Sequence, residues 1–425
     1  MLQLFVTPYL GKTGRLSQNR HRSLVHGAGT GSGETAAKMT LSELASGFGA
    51  LATFVQLASV SVAAWRCRRG AATEPASTPP VSVLRPVSGP ENFLAETLGS
   101  SFRLNVPDHE ILFCAARQDD PAVAIVRRLI ADNPGVPARL LVGEDGISAN
   151  PKLGNLVKGW DAARHEWIII ADSNVLLPPD FVQRMLAAWH SDSGAVCSMP
   201  IGARPENFWA ELECAFLNTL QARFQYVSEA LGWGFAQGKA MLFRRDIVER
   251  AGGIRALAAE TAEDAATTKL VRAEGLKVHL VDMPFEHPLG RRGAREVWAR
   301  QLRWARLRRV SFPLLFFPEV LVGSALPTAA LAAALWAHGP AAAVSAMILL
   351  PALWLASEAA LARAVGWPFT MRTAFAVLLR DLLLPALWIA AWLGADYVWR
   401  GNHITAYRRD EAPEPAHASG SRSTL

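Results

Sequence analysis

Long apolar stretches at both ends of the chain constrain its fold more than any other sequence feature. The first covers residues 41–65 and carries no charge after Glu43. Three more lie at about residues 311–337, 341–362 and 376–399. A helix of about 20 apolar residues is long enough to cross the hydrocarbon core of a bilayer. The sequence therefore predicts a multi-pass membrane protein with transmembrane helices at both ends of a more polar middle part.

Basic residues next to the first apolar stretch indicate its orientation. Arg66, Arg68 and Arg69 follow it directly. Membrane helices carry their excess of Lys and Arg on the cytoplasmic side. A cleaved signal peptide would carry its basic residues before the apolar run instead. We therefore predict a retained anchor whose C-terminal end, together with the middle domain, lies in the cytoplasm.

The stretch 311–337 is a poor candidate for an uninterrupted crossing, because it contains three prolines and Glu319. Three full crossings after the middle domain would also leave the arginines of the tail outside the cytoplasm, against the positive-inside bias. We therefore predict that 311–337 is re-entrant or interfacial and that two crossings follow. The predicted organisation is a disordered extension (1–40), an anchor (41–65), a linker (66–80), a cytoplasmic α/β domain (81–290), a basic interfacial helix (291–310), a membrane region (311–400) and a cytoplasmic tail (401–425).

Composition narrows the possible partners. Hydrophobic residues make up 51% of the chain and charged residues 19%, with a formal net charge of +6. These values suit a membrane protein with basic flanks, and no nucleic-acid-binding motif is present, so we expect a lipid bilayer and no nucleic acid as partner. The four cysteines have no paired spacing and are expected to be reduced.

Short apolar runs alternate with helical patterns between residues 81 and 288. Strand-like and mostly apolar runs lie at 81–87, 109–116, 138–143, 166–172, 194–200 and 277–284, and helical patterns at 121–133 and 179–191 lie between them. Strands that alternate with helices predict an α/β domain with a mainly parallel, doubly wound sheet covered on both faces. Ligands of such sheets bind beyond the carboxyl ends of the strands.

Asp172-Ser173-Asn174 directly follows the apolar strand at residues 167–171. An acid at the end of a parallel strand, with a second oxygen ligand two residues on, suits a divalent cation that also binds a diphosphate. Asp172 and Asn174 are therefore the candidate metal ligands. The alternative is that the acid only caps the following turn.

Two further acidic pairs precede helical patterns. Asp120 stands before Pro121 and is a candidate contact for a nucleotide, although helix capping alone explains this arrangement. The pair Glu263-Asp264 begins another helical pattern. A carboxylate there is a candidate general base, and a capped amphipathic helix is the alternative interpretation.

A basic segment, Arg300-Gln301-Leu302-Arg303-Trp304, precedes the last three apolar stretches. Guanidinium groups bind phosphate in a bidentate manner, and an indole face can cover a sugar, so the segment suits a departing diphosphate. The same arginines also make a basic amphipathic helix that suits anionic lipid headgroups.

Taken together and in this order, these motifs resemble the ceramide glucosyltransferase family. The resemblance extends to residues 83–86 (VLRP), 150–156 (NPKLGNL) and 398–401 (VWRG). It implies an inverting enzyme of the GT-A fold that uses a UDP-sugar and Mg²⁺ or Mn²⁺. It places Asp120 in the nucleotide site, Lys152 on a phosphate, Asp172 at the metal and diphosphate, Asp264 as the base, and Arg300, Arg303 and Trp304 at the diphosphate and acceptor.

One departure from the family pattern concerns the metal, because the middle motif reads Asp-Ser-Asn and not Asp-x-Asp. The resemblance favours glucose transfer to a membrane lipid such as ceramide. A bacterial branch with the same pattern resembles enzymes that add N-acetylglucosamine to a polyol hopanoid. The composition looks bacterial, which implies an inner-membrane location. Two other classes stay open, a processive polysaccharide synthase and a membrane-tethered binding module without catalysis.

Overall fold

A computed structural model describes residues 40–69, 78–399 and 402–406 of the chain. The predicted extension 1–40 and tail 401–425 lie almost entirely outside these described residues. The helices are α1 (Leu41–Arg68), α2 (Leu94–Gly99), α3 (Pro121–Asp132), α4 (Pro151–Ala162), α5 (Phe181–Ala187), α6 (Phe208–Ala215), α7 (Arg223–Ala230), α8 (Arg245–Arg250), α9 (Glu263–Ala273), α10 (Ala294–Ser311), α11 (Pro313–Phe316), α12 (Ala325–Leu335), α13 (Pro340–Val365) and α14 (Met371–Trp392). Short 3₁₀ segments cover Ser100–Arg103, Ile254–Ala259, Phe317–Leu321 and Trp336–His338, and a π-helical stretch, Phe216–Ala222, joins α6 to α7.

The strands are β1 (Val81–Val87), β2 (His109–Ala115), β3 (Ala138–Val142), β4 (Trp167–Ala171), β5 (Ser193–Ser198), β6 (Pro200–Pro205), β7 (Ala240–Arg244), β8 (Lys277–Leu280), β9 (Phe285–Gly290), β10 (Asp396–Trp399) and β11 (Asn402–Thr405). Seven of them form one sheet in the order β3-β2-β1-β4-β7-β5-β8. Neighbouring strands in this sheet are parallel except for β7, which runs antiparallel to both β4 and β5. The prediction of an α/β domain with a mainly parallel sheet is confirmed.

Alternating side chains of the sheet enter two different apolar clusters. Ile168 and Ile170 of β4 belong to one cluster, whereas Ile169 and Ala171 belong to another. Successive side chains of a strand point to opposite faces, so the sheet is covered on both sides, as its near-continuous apolar strands predict. The first cluster also contains Ala63 of α1 together with residues of α13, so the apolar helices share a core with the sheet.

Three helices, α1, α13 and α14, are long and apolar enough to cross a membrane. In the described part of the chain a fourth candidate is a bent pair, Pro313–Leu321 and Ala325–His338, whose halves meet at 49°. This bend is compatible with the re-entrant or interfacial form predicted for 311–337, which stays a prediction. Transmembrane candidates at both ends of the α/β domain agree with the predicted class.

The last apolar segment differs from the predicted stretch 376–399. Helix α14 starts earlier, where the side chain of Thr370 accepts a hydrogen bond from the backbone N–H of Thr373, and it ends at Trp392. Residues 396–399 form β10, which pairs with β11 in an antiparallel hairpin. The prediction of one apolar segment through residue 399 was wrong at its end. Residues 396–399 make their backbone hydrogen bonds to residues 402–405 in the hairpin and not within a helix.

Charged side chains lie between the apolar helices. Glu358 of α13 pairs with Arg380 of α14 at 2.8 Å and with Arg223 of α7 at 3.6 Å, and all three are fully buried. Asp381 pairs with Arg380 at 2.7 Å and accepts hydrogen bonds from the backbone N–H and hydroxyl of Ser324, both at 2.8 Å. We call Arg223, Glu358, Arg380 and Asp381 the interhelical cluster. It connects α7, α13 and α14 to the break in the bent pair.

Candidate active site

Asp172 follows β4 at the carboxyl end of the parallel strands. Ala171 pairs with Ala240 of β7, and just beyond this pair the backbone N–H of Asp172 donates to the carbonyl of Lys239 at 2.9 Å. The carboxylate lies 2.7 Å from the ammonium of Lys152 and 3.0 Å from that of Lys239. The sheet register therefore holds the Asp172 carboxylate between two lysines.

Lys152 connects Asp172 to the second acidic motif. Its ammonium lies 2.6 Å from the Glu263 carboxylate and donates to the carbonyl of Gly238, also at 2.6 Å. Asn150 caps α4 with its side-chain oxygen and donates from its amide to Glu263 at 2.7 Å. The segment Asn150-Pro151-Lys152 thus begins α4, and its side chains connect the two acidic motifs.

The VLRP phrase supports the turn that carries the Asp-Ser-Asn motif. Arg85 is fully buried, and its guanidinium donates to the carbonyls of Ser173 at 3.4 Å and Val175 at 3.1 Å. Burial lowers the pKa of Arg85 to about 9, while the charge of Asp172 opposes this shift. Arg85 therefore holds the backbone carbonyls on either side of Asn174 by hydrogen bonds.

Asp264 begins α9 beside these groups and is partly exposed. Its carboxylate accepts hydrogen bonds from the backbone N–H groups of Gly238 at 3.2 Å and Ala265 at 2.8 Å. Burial, followed by the charge of Glu263, raises the pKa of Asp264 to about 6, and Lys152 opposes the shift. A carboxylate with a pKa near neutrality is suited to accept a proton. We call Lys152, Asp172, Lys239, Glu263 and Asp264 the strand-end cluster.

The electrostatics of Asp172 differ from those of Asp264. Burial of Asp172 opposes its ionisation, but the ammonium groups of Lys152 and Lys239 outweigh burial and lower its pKa to about 2. Asp172 is therefore ionised at any physiological pH, whereas Asp264 titrates close to it. Two carboxylates with pKa values set apart by their surroundings are typical of sites that need one fixed anion and one base.

Asn174 shares Lys239 with Asp172. Its side-chain oxygen accepts from the Lys239 ammonium at 3.0 Å, and its amide donates to Glu91 at 2.8 Å. The oxygens of Asp172 and Asn174 thus converge on one cationic atom. Carboxylate and amide oxygens are hard ligands of the kind that Mg²⁺ and Mn²⁺ bind. Among the described residues no group of three or more His, Cys, Asp or Glu could hold a metal. A cation held by this pair would therefore need further oxygens from a ligand such as a diphosphate.

Asp120 lies at the first strand-to-helix crossing. Its carboxylate accepts from the backbone N–H of Ala122 at 2.8 Å and so caps α3. It also accepts from the N–H of Gly89, in the loop after β1, at 2.9 and 3.0 Å. These contacts support the capping interpretation, and the nucleotide contact stays a prediction.

Helix α10 carries the Arg-x-x-Arg-Trp motif. Arg300 pairs with Glu213 and, at 3.0 Å, with Glu296. Its charge reaches the strand-end cluster, because burial lowers the pKa of Lys239 and Arg300 adds to this shift. The Arg303 guanidinium lies 5.5 Å from the centre of the Trp399 ring.

The end of the motif lies against apolar neighbours. Trp304 packs on a small cluster between α6 and β9, formed by Ala210, Cys214, Leu217 and Leu289. Arg303 and Trp304 therefore join the motif to the β10 hairpin and to the core below α10. Their contact with a diphosphate or acceptor stays a prediction.

Two residues of the site, Lys239 and Glu91, were not predicted from the sequence. Lys239 directly precedes β7, a strand of five residues that was not predicted, so nothing placed its ammonium beside Asp172. Glu91 lies in a loop after β1 without a motif of its own. One sequence signal was available. Gly238 and Lys239 directly precede the apolar residues 240–243, so a charged residue stands at the boundary of an apolar run, as Asp172 does.

The sheet and the charged groups beyond its strand ends define an α/β domain of the kind that binds its ligand at this edge, and known proteins narrow this class. The model of the family described as glycosyl transferase family 21 matches residues 50–411. Ceramide glucosyltransferase 1 of Caenorhabditis elegans is 26% identical over 332 residues, which are 76% of this chain and 71% of the relative. The ceramide glucosyltransferase of Komagataella phaffii is 36% identical over 99 residues, 22% of this chain and 19% of the relative.

Among solved structures, a mannosyltransferase from Pyrobaculum calidifontis in complex with GDP-Man and Mn²⁺ aligns with 82% of this chain and 98% of its own, at a TM-score of 0.47 and 18% identity. The family match spans most of the chain, from α1 to beyond β11. The chain belongs to glycosyl transferase family 21. The predicted family and the predicted enzyme class, a glycosyltransferase, are confirmed, and the mainly parallel sheet with apolar helices at both ends has the predicted architecture.

Proposed function

We propose that the chain transfers a sugar, with glucose favoured, from a UDP-sugar to a hydroxyl of a membrane lipid such as ceramide, with inversion at the anomeric carbon. The observation that carries the proposal is the position of Asp264, a carboxylate with a raised pKa within the cluster that holds Asp172. The names of the relatives support ceramide as the acceptor.

Asp264 is the proposed base. The acceptor hydroxyl oxygen forms a bond to the anomeric carbon, the bond from that carbon to the diphosphate oxygen breaks, and the hydroxyl proton passes to Asp264. The partly exposed carboxylate is held by two backbone N–H groups, so it is oriented without a competing ion pair at short range. Glu263 is less suited, because Lys152 and Asn150 already contact its two oxygens.

Lys152 and Lys239 are the proposed cations for the departing diphosphate, and the charge of Arg300 adds to theirs. A lysine ammonium is a mobile point charge on a flexible stem, which suits a phosphate that leaves during the reaction. Asp172 and Asn174 are the proposed ligands of a divalent cation, Mg²⁺ or Mn²⁺. When bound, such a cation supplies charge neutralisation for the nucleoside diphosphate.

The lipid acceptor is proposed to approach along α10 and the turn that follows it. Leu314, Leu315 and Phe317 are 84, 52 and 64% exposed directly after the basic helix. Apolar side chains beside arginines suit the boundary between lipid headgroups and acyl chains. We place the sheet domain on the cytoplasmic side, in a bacterial inner membrane, by the positive-inside bias of the arginines at the end of α1.

The test is expression of the full chain in a host with defined lipids, followed by mass spectrometry of new glycolipids. The expected product is a hexosylceramide that appears with the chain and disappears with Asp264→Asn. An N-acetylhexosamine on a hopanoid polyol would replace both the sugar and the acceptor. A polymer, or no glycolipid with any acceptor, would contradict the proposed reaction.

A further inference from the structure

The strand-end cluster already holds a cation at the proposed metal position. Asp172 and Asn174 each place an oxygen 3.0 Å from the Lys239 ammonium. Lys239 is 14% exposed and Asp172 is 20% exposed, so the pair is largely removed from solvent. A lysine ammonium is a compact charge that can take the position of a metal ion between oxygens.

The position of Lys239 is fixed by the backbone. Residue 239 directly precedes β7, and its carbonyl accepts from the N–H of Asp172 across the β4–β7 pair. Its side chain therefore starts opposite the Asp-Ser-Asn turn, whichever group it contacts. The flexible part is the stem, which carries the ammonium at its end.

A divalent cation and the ammonium exclude each other at this position. A metal bound by Asp172 and Asn174 would lie at roughly 2.1 Å from each oxygen, in the space that the Lys239 ammonium now occupies. Like charges so close repel each other strongly in a partly buried site. Asp172 also has Lys152 at 2.7 Å, so its charge is already compensated without a metal.

A diphosphate changes this balance. It offers anionic oxygens to the lysine ammonium and to a metal at the same time, so Lys239 has a new partner when it leaves Asp172. Binding of each ligand then favours binding of the other, because the coupling between two ligands is reciprocal.

Resting on the proposed metal role of Asp172 and Asn174, we infer that Lys239 is a resident cation of this site. It excludes the divalent metal until a nucleoside diphosphate arrives and accepts the lysine. Metal therefore enters with or after the nucleotide, and not before it. Lys239 acts as a positioning residue that sets the order of binding.

The test is Mn²⁺ binding to the purified full chain, measured by the loss of the electron paramagnetic resonance signal of free Mn²⁺ without nucleotide. The variants are Lys239→Met, which removes the charge, and Lys239→Arg, which keeps it. Lys277→Met is the matched control, because Lys277 pairs with Asp192 at 2.9 Å and is 55% exposed. Equal temperatures of unfolding in detergent show that each variant has folded.

We expect Lys239→Met to bind Mn²⁺ without nucleotide at least about tenfold more tightly than the wild-type chain. The Lys239→Arg and Lys277→Met variants should behave like the wild type, which binds Mn²⁺ to the protein only together with UDP. Tight Mn²⁺ binding by the nucleotide-free wild type, no gain in Lys239→Met, or no protein-bound Mn²⁺ even with UDP would each overturn the inference. The glycolipid assay tests the reaction separately, since a chain without product can still show this pattern of metal binding.

Discussion

The strand-end cluster and the interhelical cluster contain the same kinds of charged groups in different surroundings. In the first, the lysines and Asp172 are 10–20% exposed, and each lysine is shared between two side chains, Lys152 between Asp172 and Glu263 and Lys239 between Asp172 and Asn174. In the second, Glu358 and Arg380 are fully buried and Asp381 is 2% exposed. The first arrangement leaves its groups able to exchange partners with a ligand, whereas the second fixes the packing of helices.

The balance of charge differs as well. Two arginines face two carboxylates in the interhelical cluster, so it is neutral as a group. The strand-end cluster combines two lysines with three carboxylates, one of which, Asp264, has its pKa raised to about 6. In a neutral cluster each charge is compensated, which favours the ionised forms. In a cluster with an excess of carboxylates, repulsion between them favours the uptake of a proton. We therefore expect changes in the strand-end cluster to affect catalysis and changes in the interhelical cluster to affect stability.

The largest effect is expected for the proposed base. Asp264→Asn keeps the shape of the side chain and can still accept one of the two backbone hydrogen bonds, which reach different oxygens of the carboxylate, but it no longer takes up the proton. General-base catalysis typically contributes about a hundred- to ten-thousandfold, or roughly 3–5 kcal/mol of barrier. We expect kcat to fall by at least about a hundredfold at unchanged UDP affinity, as measured by UDP release and by titration.

Asp264 lies in the first turn of α9 and is not its N-cap, so a purely structural Asp264 would lose only one backbone hydrogen bond in this variant and turnover would change little. Retention of more than about a third of the wild-type turnover would move the base elsewhere. Glu263 would then be the next candidate, although Lys152 holds its carboxylate at 2.6 Å.

The interhelical cluster is expected to control stability and not turnover. Glu358→Ala removes the shared carboxylate and leaves Arg223 and Arg380 buried with less compensation. Loss of one partner of a buried ion pair typically costs about 3–5 kcal/mol. We expect a much lower temperature of unfolding in detergent, measured by loss of the monodisperse peak on size exclusion after heating.

Glu319→Ala is the matched control, because Glu319 also pairs with an arginine, Arg308, at 2.8 Å. That pair is 33–37% exposed, and exposed ion pairs typically contribute less than about 1 kcal/mol. Equal losses in both variants would show that burial does not distinguish the interhelical cluster.

The backbone of Gly238 contacts two members of the strand-end cluster, because its carbonyl accepts from Lys152 and its N–H donates to Asp264. A Cβ atom at this position would lie 2.6 Å from the Glu263 carboxylate and 3.2 Å from the Lys152 ammonium. Gly238→Ala should therefore displace both, and displacements of about 1 Å in a catalytic site cost roughly up to a hundredfold in rate. We expect kcat/KM to fall about 10- to 100-fold with little change in unfolding temperature.

Gly135→Ala serves as the control for Gly238→Ala, since among the described residues no atom lies within 4 Å of its added Cβ. Normal kcat/KM in both variants would mean that the spacing of Glu263 and Lys152 is not critical for transfer.

The smallest effect is expected from pH alone. The pKa of Asp264 is raised to about 6, so the base is protonated and inactive below that pH and ionised above it. The value of kcat/KM should therefore fall by about tenfold per pH unit below pH 6 and level off above it, since this parameter reports the free enzyme. A profile measured at constant ionic strength that stays flat through pH 6 would contradict this assignment, and residual activity of Asp264→Asn should lack the acidic limb.

Much of the fold follows from sequence patterns. Apolar runs with few polar positions identified six of the seven strands of the main sheet, because strands buried on both faces are apolar throughout. The missing strand, β7, is short and antiparallel, so neither alternation with helices nor a long apolar run indicated it. The hairpin of β10 and β11 was also missed, because Val398 and Trp399 continue an apolar run.

The site was less accessible to sequence reasoning. Asp172 and Asp264 were predicted because each stands next to a strand or helix boundary, and Lys152 was predicted only through the family resemblance. Lys239 becomes significant only through its pairing across β4 and β7, which no local pattern encodes. The interhelical cluster had a signal, because Arg380 and Asp381 lie inside an apolar stretch, and ionisable residues in such stretches usually pair with each other.

The π-helical stretch Phe216–Ala222 makes the chain sensitive to insertions and deletions at this point. Its adjacent residues serve different parts of the molecule, since Asn218 exchanges two hydrogen bonds with the backbone of Gly202 in β6, and Thr219 donates to Glu358 at 2.5 Å. Removing one residue would restore the α-helical pitch and turn α7 by about 100°. Arg223 would then point away from Glu358, and Tyr226 from the carbonyl of Val281 to which it donates. Related chains should therefore vary in the identity of residues in this segment more readily than in its length.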